Sequence, residues 1–235
     1  MGVYTLRTGN GGYISSEASS FSDALSGAGT LTVWPETNAN GYSGVGHEVD
    51  LANLGTADYV AAVVYCNIDI SSIGSGDTID TSSFSALLAN RVWGAGGWLF
   101  ELYAHDWGDT LTDADWVSDS DVAGMTLLAS WDTDDYTANT RYEFDVESAL
   151  STAVAAAKAS DGTLRTVLVT SKFRLATEPT SSNWFFGAWG LPHAQLSDRP
   201  TLTVNTLGSS MTQEESINPT RSRVVSPVFS PVKRR

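Results

Sequence analysis

Cysteine is almost absent from this 235-residue chain: Cys66 stands alone. No intrachain disulfide can form, so folding does not require an oxidising compartment. Positive charge is also scarce, with 13 Lys and Arg against 27 Asp and Glu, a net charge of −14. An acidic body repels nucleic acid and anionic membranes, and neither is expected as a partner. Long apolar runs are missing, so no segment reaches membrane-spanning length. The opening MGVYTLRTGN lacks the basic and apolar regions of a secretion signal. It also carries Leu6 where a myristoylation motif needs Ser or Thr. Synthesis in a cytoplasm, without a signal peptide, is the expectation. No GxSxG, P-loop or Gly-rich dinucleotide motif occurs.

What is present points to strands. Hydrophobic residues make up 42% of the chain, eight Trp are unusually many, and 21 Gly are spread among Ser, Thr, Asn and Asp. That is turn chemistry between short apolar segments, with enough apolar content to drive folding. Residues 1–30 are Gly/Ser-rich and weakly patterned, which predicts an N-terminal arm or loose first strand anchored by Tyr4 and Tyr13. Leu31–Trp34 reads as a short strand stopped by Pro35, and 36–46 as a loop.

Residues 59–70 give the clearest strand. Val64, Cys66, Ile68 and Ile70 fall on one face, with Tyr65, Asn67 and Asp69 on the other. Ile73–Asp77 is a turn. Trp98, Phe100, Leu102 and Ala104 then alternate with Leu99, Glu101 and Tyr103. Further strands are predicted at 141–144, 164–170, 184–189 and 201–207, the last with the strict alternation of a strand exposed on one side. Between them, Val146, Ala149, Leu150, Ala153, Val154 and Ala157 keep a helical period, predicting one amphipathic helix over 146–159. Asp145 is placed to cap it, Lys158 suits its far end and Asp161-Gly162 stops it. The predicted fold is all-β, an antiparallel jelly-roll-like β-sandwich over 31–207 with one helix.

From residue 208 the character changes to an extended tail with Pro219, Pro227 and Pro231 and no periodicity. Within 211–235, five cations against two carboxylates give +3, which leaves −17 on residues 1–210. Stretched out, those 25 residues reach roughly 80 Å. Three terminal charges are too short a footprint for nucleic acid at physiological salt. Arg221, Arg223, Val228, Phe229, Lys233, Arg234 and Arg235 are therefore the expected contacts to an acidic protein partner, another copy of the body included.

Four blocks, in order, carry a family resemblance: DISSIGSGDTIDTSSFSALL (69–88), LYAHDWGDTLTDADW (102–116), FDVESALSTAV (144–154) and DRPTLTVNT (198–206). Together they resemble the DNRLRE domain, a jelly-roll-like bacterial surface module. The resemblance implies a sandwich akin to carbohydrate-binding modules and structural stalks, and it carries no catalytic residues across. The hexapeptide that names the family has no literal match, and residues 1–58 align poorly.

The aromatic residues are expected mainly in the core. Trp93, Trp98, Trp107, Trp116, Trp131, Trp184 and Trp189 all have large apolar areas to bury. Trp107 and Trp116, in loop contexts, are the candidates for stacking on surface glycans. Asp106, Asp109, Asp113, Asp115, Asp119 and Asp121, and separately Asp132, Asp134 and Asp135, could surround a calcium ion. Solvated turn carboxylates are the preferred reading, because the EF-hand glycine and distal glutamate are absent, and no ligand set is named. His47, His105 and His193 are scattered, with no zinc pattern. Glu101, Glu143 and Asp145 could supply a hydrolytic carboxylate pair, but any acidic β protein offers such residues.

The expectation is accordingly a non-enzyme. The first reading is a structural protein of a bacteriophage particle, a capsid decoration, neck or tail-surface component that joins copies of itself and other structural proteins through its arm. The alternatives are a carbohydrate-binding module or adhesin, then a polysaccharide-degrading enzyme.

Overall fold

The computed structural model describes residues 1–35, 43–50, 58–88, 97–135, 137, 140–178, 185–189 and 199–208. The strands are β1 (Gly2–Ala18), β2 (Thr30–Pro35), β3 (Ser43–Asp50), β4 (Asp58–Asp69), β5 (Thr78–Leu88) and β6 (Leu99–Ala104). They continue with β7 (Leu127–Asp132), β8 (Thr140–Glu143), β9 (Asp145–Val146), β10 (Thr163–Thr170), β11 (Phe185–Trp189) and β12 (Thr201–Leu207). Short helices are α1 (Phe21–Ser26), α2 (Asp119–Ala123), α3 (Ser148–Ala159) and α4 (Ser171–Arg174).

All pairings are antiparallel. The sheet path β2-β1-β12-β5-β11-β3-β4-β10-β6-β7-β9 returns on itself, because β1 also pairs with β4. The result is a nearly closed all-β fold of sandwich or barrel-like form, as the alternating patterns predict.

The central strands are buried on both sides. On the inner face, Val64, Cys66, Ile68, Phe84, Trp98, Phe100, Leu102, Leu168, Leu202 and Val204 form one core. Each such fully buried large side chain contributes about 1.5–3 kcal/mol. On the outer face, Ile14, Val63, Tyr65, Tyr103, Val167 and Val169 form a second core beneath Phe21, Leu25, Trp107, Val122 and Phe173. The helices α1, α2 and α4 and the 105–118 loop thus make a lid over the outside of the sheet.

Of the two alternatives expected over 1–30, an arm or a loose first strand, the first segment is a strand. β1 runs for 17 residues inside the sheet, against β12 at its start and between β2 and β4 further on. Its weak pattern has a cause. The register slips between Thr8 and Gly11, and a Cβ on Gly11 would lie 2.2 Å from the Tyr65 carbonyl oxygen. The glycine run that reads as looseness is the close backbone approach of a bulge.

The predicted loop over 36–46 is strand from Ser43 on; 36–42 lie outside the described residues. The one expected helix becomes four among the described residues, since α1, α2 and α4 are too short to show a period. The long helix is α3, starting two residues later than expected. Six alanines favour it, and Leu150 and Val154, one turn apart, are its fully buried face. Its N-cap is Glu147, without a side-chain bond, and not Asp145, which belongs to β9. Lys158 donates to the carbonyls of Ser75 and Asp77, and Gly162 follows with φ +78°.

Candidate functional site

The two tryptophans proposed to stack on glycans belong to the lid. Trp107 is 5% exposed and meets Tyr65 edge-on at 6.1 Å. Trp116 is partly buried against Phe173, and its indole N–H donates to the Leu25 carbonyl at 3.2 Å. Trp107 is thus buried and Trp116 partly so, and both rings fasten the loop to the sheet. Trp98 and Trp131 are core residues. Trp93, Trp184 and the side chain of Trp189 lie outside the described residues.

The acidic loop is held the same way. The Tyr65 hydroxyl donates to the Asp115 carbonyl at 2.7 Å, and burial pushes its pKa up. Asp115 accepts from the Thr112 amide at 2.7 Å, Asp121 from the Ser118 amide at 2.9 Å, and Asp106 from the Gly108 amide at 3.2 Å. These are turn and cap roles. Bonds from Ser118 hold the Asp121 carboxyl below the usual range. Among the described residues, no group of three His, Cys, Asp or Glu is placed to hold a metal ion.

The body's charge is sorted by position. Arg165 spans Asp109 at 2.6 Å and Asp161 at 2.7 Å, with Asp106 at 3.6 Å. Arg141 reaches the Arg199 carbonyl at 2.9 Å, and Arg199 the Thr8 carbonyl at 3.1 Å. The described basic side chains other than Arg7 are all at least partly buried. By contrast Asp106, Asp109, Asp113, Asp121, Glu143, Asp145 and Glu147 stay exposed. Among the described residues, Arg165 thus neutralises part of the Asp106, Asp109 and Asp161 cluster, and the remaining exposed carboxylates keep the surface negative.

The named carboxylates stand in different settings. Glu101 is 2% exposed and holds Arg174 at 2.7 and 2.8 Å, while the Tyr103 hydroxyl donates to it at 3.0 Å. Glu143 and Asp145 are exposed on β8 and β9. His105 is partly buried beside Tyr65; the side chain of His47, and His193, lie outside the described residues. A groove of about 780 Å³ runs between α3 and the 71–77 turn. Its charged groups are already engaged: Lys158 with two carbonyls, Asp77 with the Tyr4 hydroxyl at 2.6 Å, Asp161 with Arg165.

Among the described residues, one aromatic ring is exposed, that of Trp34. Tyr13 on β1 and Trp34 on β2 are cross-strand partners, stacked at 5.6 Å with 11° between ring planes. Trp34 is 39% exposed, and its indole N–H is fixed on Ser15 Oγ at 3.2 Å. The same face continues with the pairs Ser15–Thr32 and Glu17–Thr30. It ends in a polar hollow of about 580 Å³ lined in part by Glu17, Asp23 and Thr30. Trp34 went unnoticed in the sequence as more than the end of a short strand. The signal was there: with Leu31 and Val33 turned beneath the lid, period 2 sends Thr30, Thr32 and Trp34 to the opposite face.

The tail residues Arg221, Arg223, Val228, Phe229, Lys233, Arg234 and Arg235 lie outside the described residues. Among the described residues no helix is long and apolar enough to cross a membrane. Comparison with protein-family models finds no match to this chain, and a search of curated proteins finds none either.

Proposed function

We propose that this chain is a non-catalytic structural component of an assembly, a phage particle, in which the basic segment 211–235 of one subunit lies on the acidic body of a neighbour. The observation that supports it is the division of charge: −17 on residues 1–210 against +3 on 211–235. Among the described residues Arg141 and Arg165 are held in carbonyl contacts and ion pairs, and exposed carboxylates outside the Arg165 network, such as Asp113, Glu143, Asp145 and Glu147, face outward for an external cation. A basic strip on such a surface gains attraction over several charges and is weakened by salt. Kinship with DNRLRE-type sandwiches is part of this reading, supported by the order of the four sequence blocks and by the antiparallel fold.

The test is removal of residues 211–235. The full chain should form salt-sensitive oligomers, or enter particles when co-expressed with their other structural proteins, and the truncated chain should do neither. Unchanged assembly after truncation refutes the reading.

A further inference from the structure

The groove between α3 and the 71–77 turn lies where the described chain leaves the sheet. In the register of β12 and β5, Thr206 pairs with Ile79 and Leu207 with Thr78, and both Ile79 and Thr78 line the groove. Ile70, Ile73 and Ile79 form one side of it, and Ser151, Ala155 and Ala159 of α3 the other. Ala155 and Ala159 are exposed, so the helix presents methyl groups where a surface helix ordinarily carries charge. With Lys158, Asp77 and Asp161 held by their neighbours, the groove offers an occupant chiefly aliphatic surface.

Its rim is acidic. Asp77 and Asp161 line it, and Asp69 and Asp80, next in sequence to Ile70 and Ile79, are exposed. Against these four carboxylates stand two cations, Lys158 and Arg165, which leaves a local charge of −2. The sequence holds one segment of matching order. Val224-Val225-Ser226-Pro227-Val228-Phe229 is the most apolar stretch after Leu207, with Arg221 and Arg223 before it and Lys233, Arg234 and Arg235 after it. Its aliphatic and aromatic side chains suit the cleft, and its flanking cations suit the rim.

The sixteen residues from Ser209 to Val224 reach roughly 50 Å, enough to cross to a second copy. Two bodies of −17 repel one another. A basic segment held between them offsets that repulsion, whereas the same segment folded back on its own body bridges nothing. A two-fold arrangement, in which each exit at Leu207 meets the other copy's groove, fills both grooves alike.

We infer that the groove between α3 and the 71–77 turn is the seat of segment 224–229 of a second copy of this chain. This rests on the assembly reading and names the place on the neighbour where its basic segment is held.

The test uses the full chain at low salt. Ala155→Gln puts a longer, uncharged side chain into the groove from an exposed helix position, and Phe229→Ala removes a ring without altering charge. Each should weaken self-association, read by sedimentation, about tenfold or more with the melting temperature unchanged. With p-benzoylphenylalanine in place of Phe229, irradiation should give a covalent dimer whose attachment lies in 70–79 or 151–162. A full chain that stays monomeric, parent affinity in either variant, an attachment elsewhere, no cross-link, or one confined to a single chain overturns the proposal. The assembly reading fails separately, if truncation of 211–235 leaves self-association intact. Truncation that abolishes self-association while Ala155→Gln and Phe229→Ala retain it refutes the groove alone.

Discussion

Removing the Arg174 side chain is the sharpest probe of the lid. Glu101 is 2% exposed, and two of its contacts, at 2.7 and 2.8 Å, come from that one guanidinium. Arg174→Ala leaves a buried carboxylate with only the Tyr103 hydroxyl, and an unpaired buried charge costs about 3–5 kcal/mol. Arg174 is itself 30% exposed, so water can enter the space it vacates and the lower end applies, about 3 kcal/mol. For a domain of this size the melting temperature should fall by about 6–12 °C. The loss should be one of pairing and not of charge count. Replacing Glu101 and Arg174 together by Met removes both charges but strands the buried Tyr103 hydroxyl, so Tyr103→Phe completes the set. Calorimetry of Arg174→Ala and of the triple variant is the assay. The triple variant should lie clearly closer to the parent protein than Arg174→Ala does. A loss under about 1 kcal/mol for Arg174→Ala, or a triple variant no better than the single one, would refute the argument.

Two further outcomes follow from the same lid. Gly27 caps α1 with φ +75°, and a Cβ there would lie 2.4 Å from Trp116 Cδ1. Gly27→Ala should therefore cost at least about 1–2 kcal/mol from the backbone alone, with a changed Trp116 fluorescence; an unchanged melt would contradict it. Desolvation lowers the pKa of His105 below 6.5, against the opposing pull of Asp115, Asp106 and Asp121. The unfolded chain then takes up the proton first as pH drops, so this stabilisation is present above pH 6.5 and is lost on acidification through the depressed value. His105→Gln should flatten that part of the stability–pH curve, and an identical slope in the variant would disprove the assignment.

Sequence legibility followed how many faces a strand buries. β12 has one face in the core and one in water, and its predicted span, 201–207, is the observed one. β4 was found from Val64, Cys66 and Ile68, and the structure adds that Val63 and Tyr65 are equally buried beneath the lid. Period 2 cannot announce that second layer, because both faces being apolar only lengthens the run. β1 was legible only as an arm or a loose first strand, because the bulge requires glycine at Gly11 and small residues around it, and that composition imitates a flexible arm. The candidate site fared worse for a related reason. Loop context suggested exposure for Trp107 and Trp116, whereas a loop folded over a sheet buries its aromatics as a helix does. Trp34 sat in a strand, where burial is the default, but at the sheet's rim on the side the lid does not cover.

The lid also explains why the acidity of this protein is a surface property and not merely a count. A cover made of loop and single-turn helices exposes many backbone amides, and these need acceptors. Asp106, Asp115 and Asp121 supply them within the loop itself, so carboxylates concentrate where turns are. Fastening the cover needs donors that reach carbonyls and carboxylates between cover and sheet. Arg165 reaches the Gly108 carbonyl at 2.8 Å, and Arg174 reaches Glu101. Cations are thereby spent inward and carboxylates accumulate outward. The fold alone produces a surface that a basic strip would find attractive, which is why salt sensitivity of assembly, rather than loss of the body's stability, is the response that truncating 211–235 should remove.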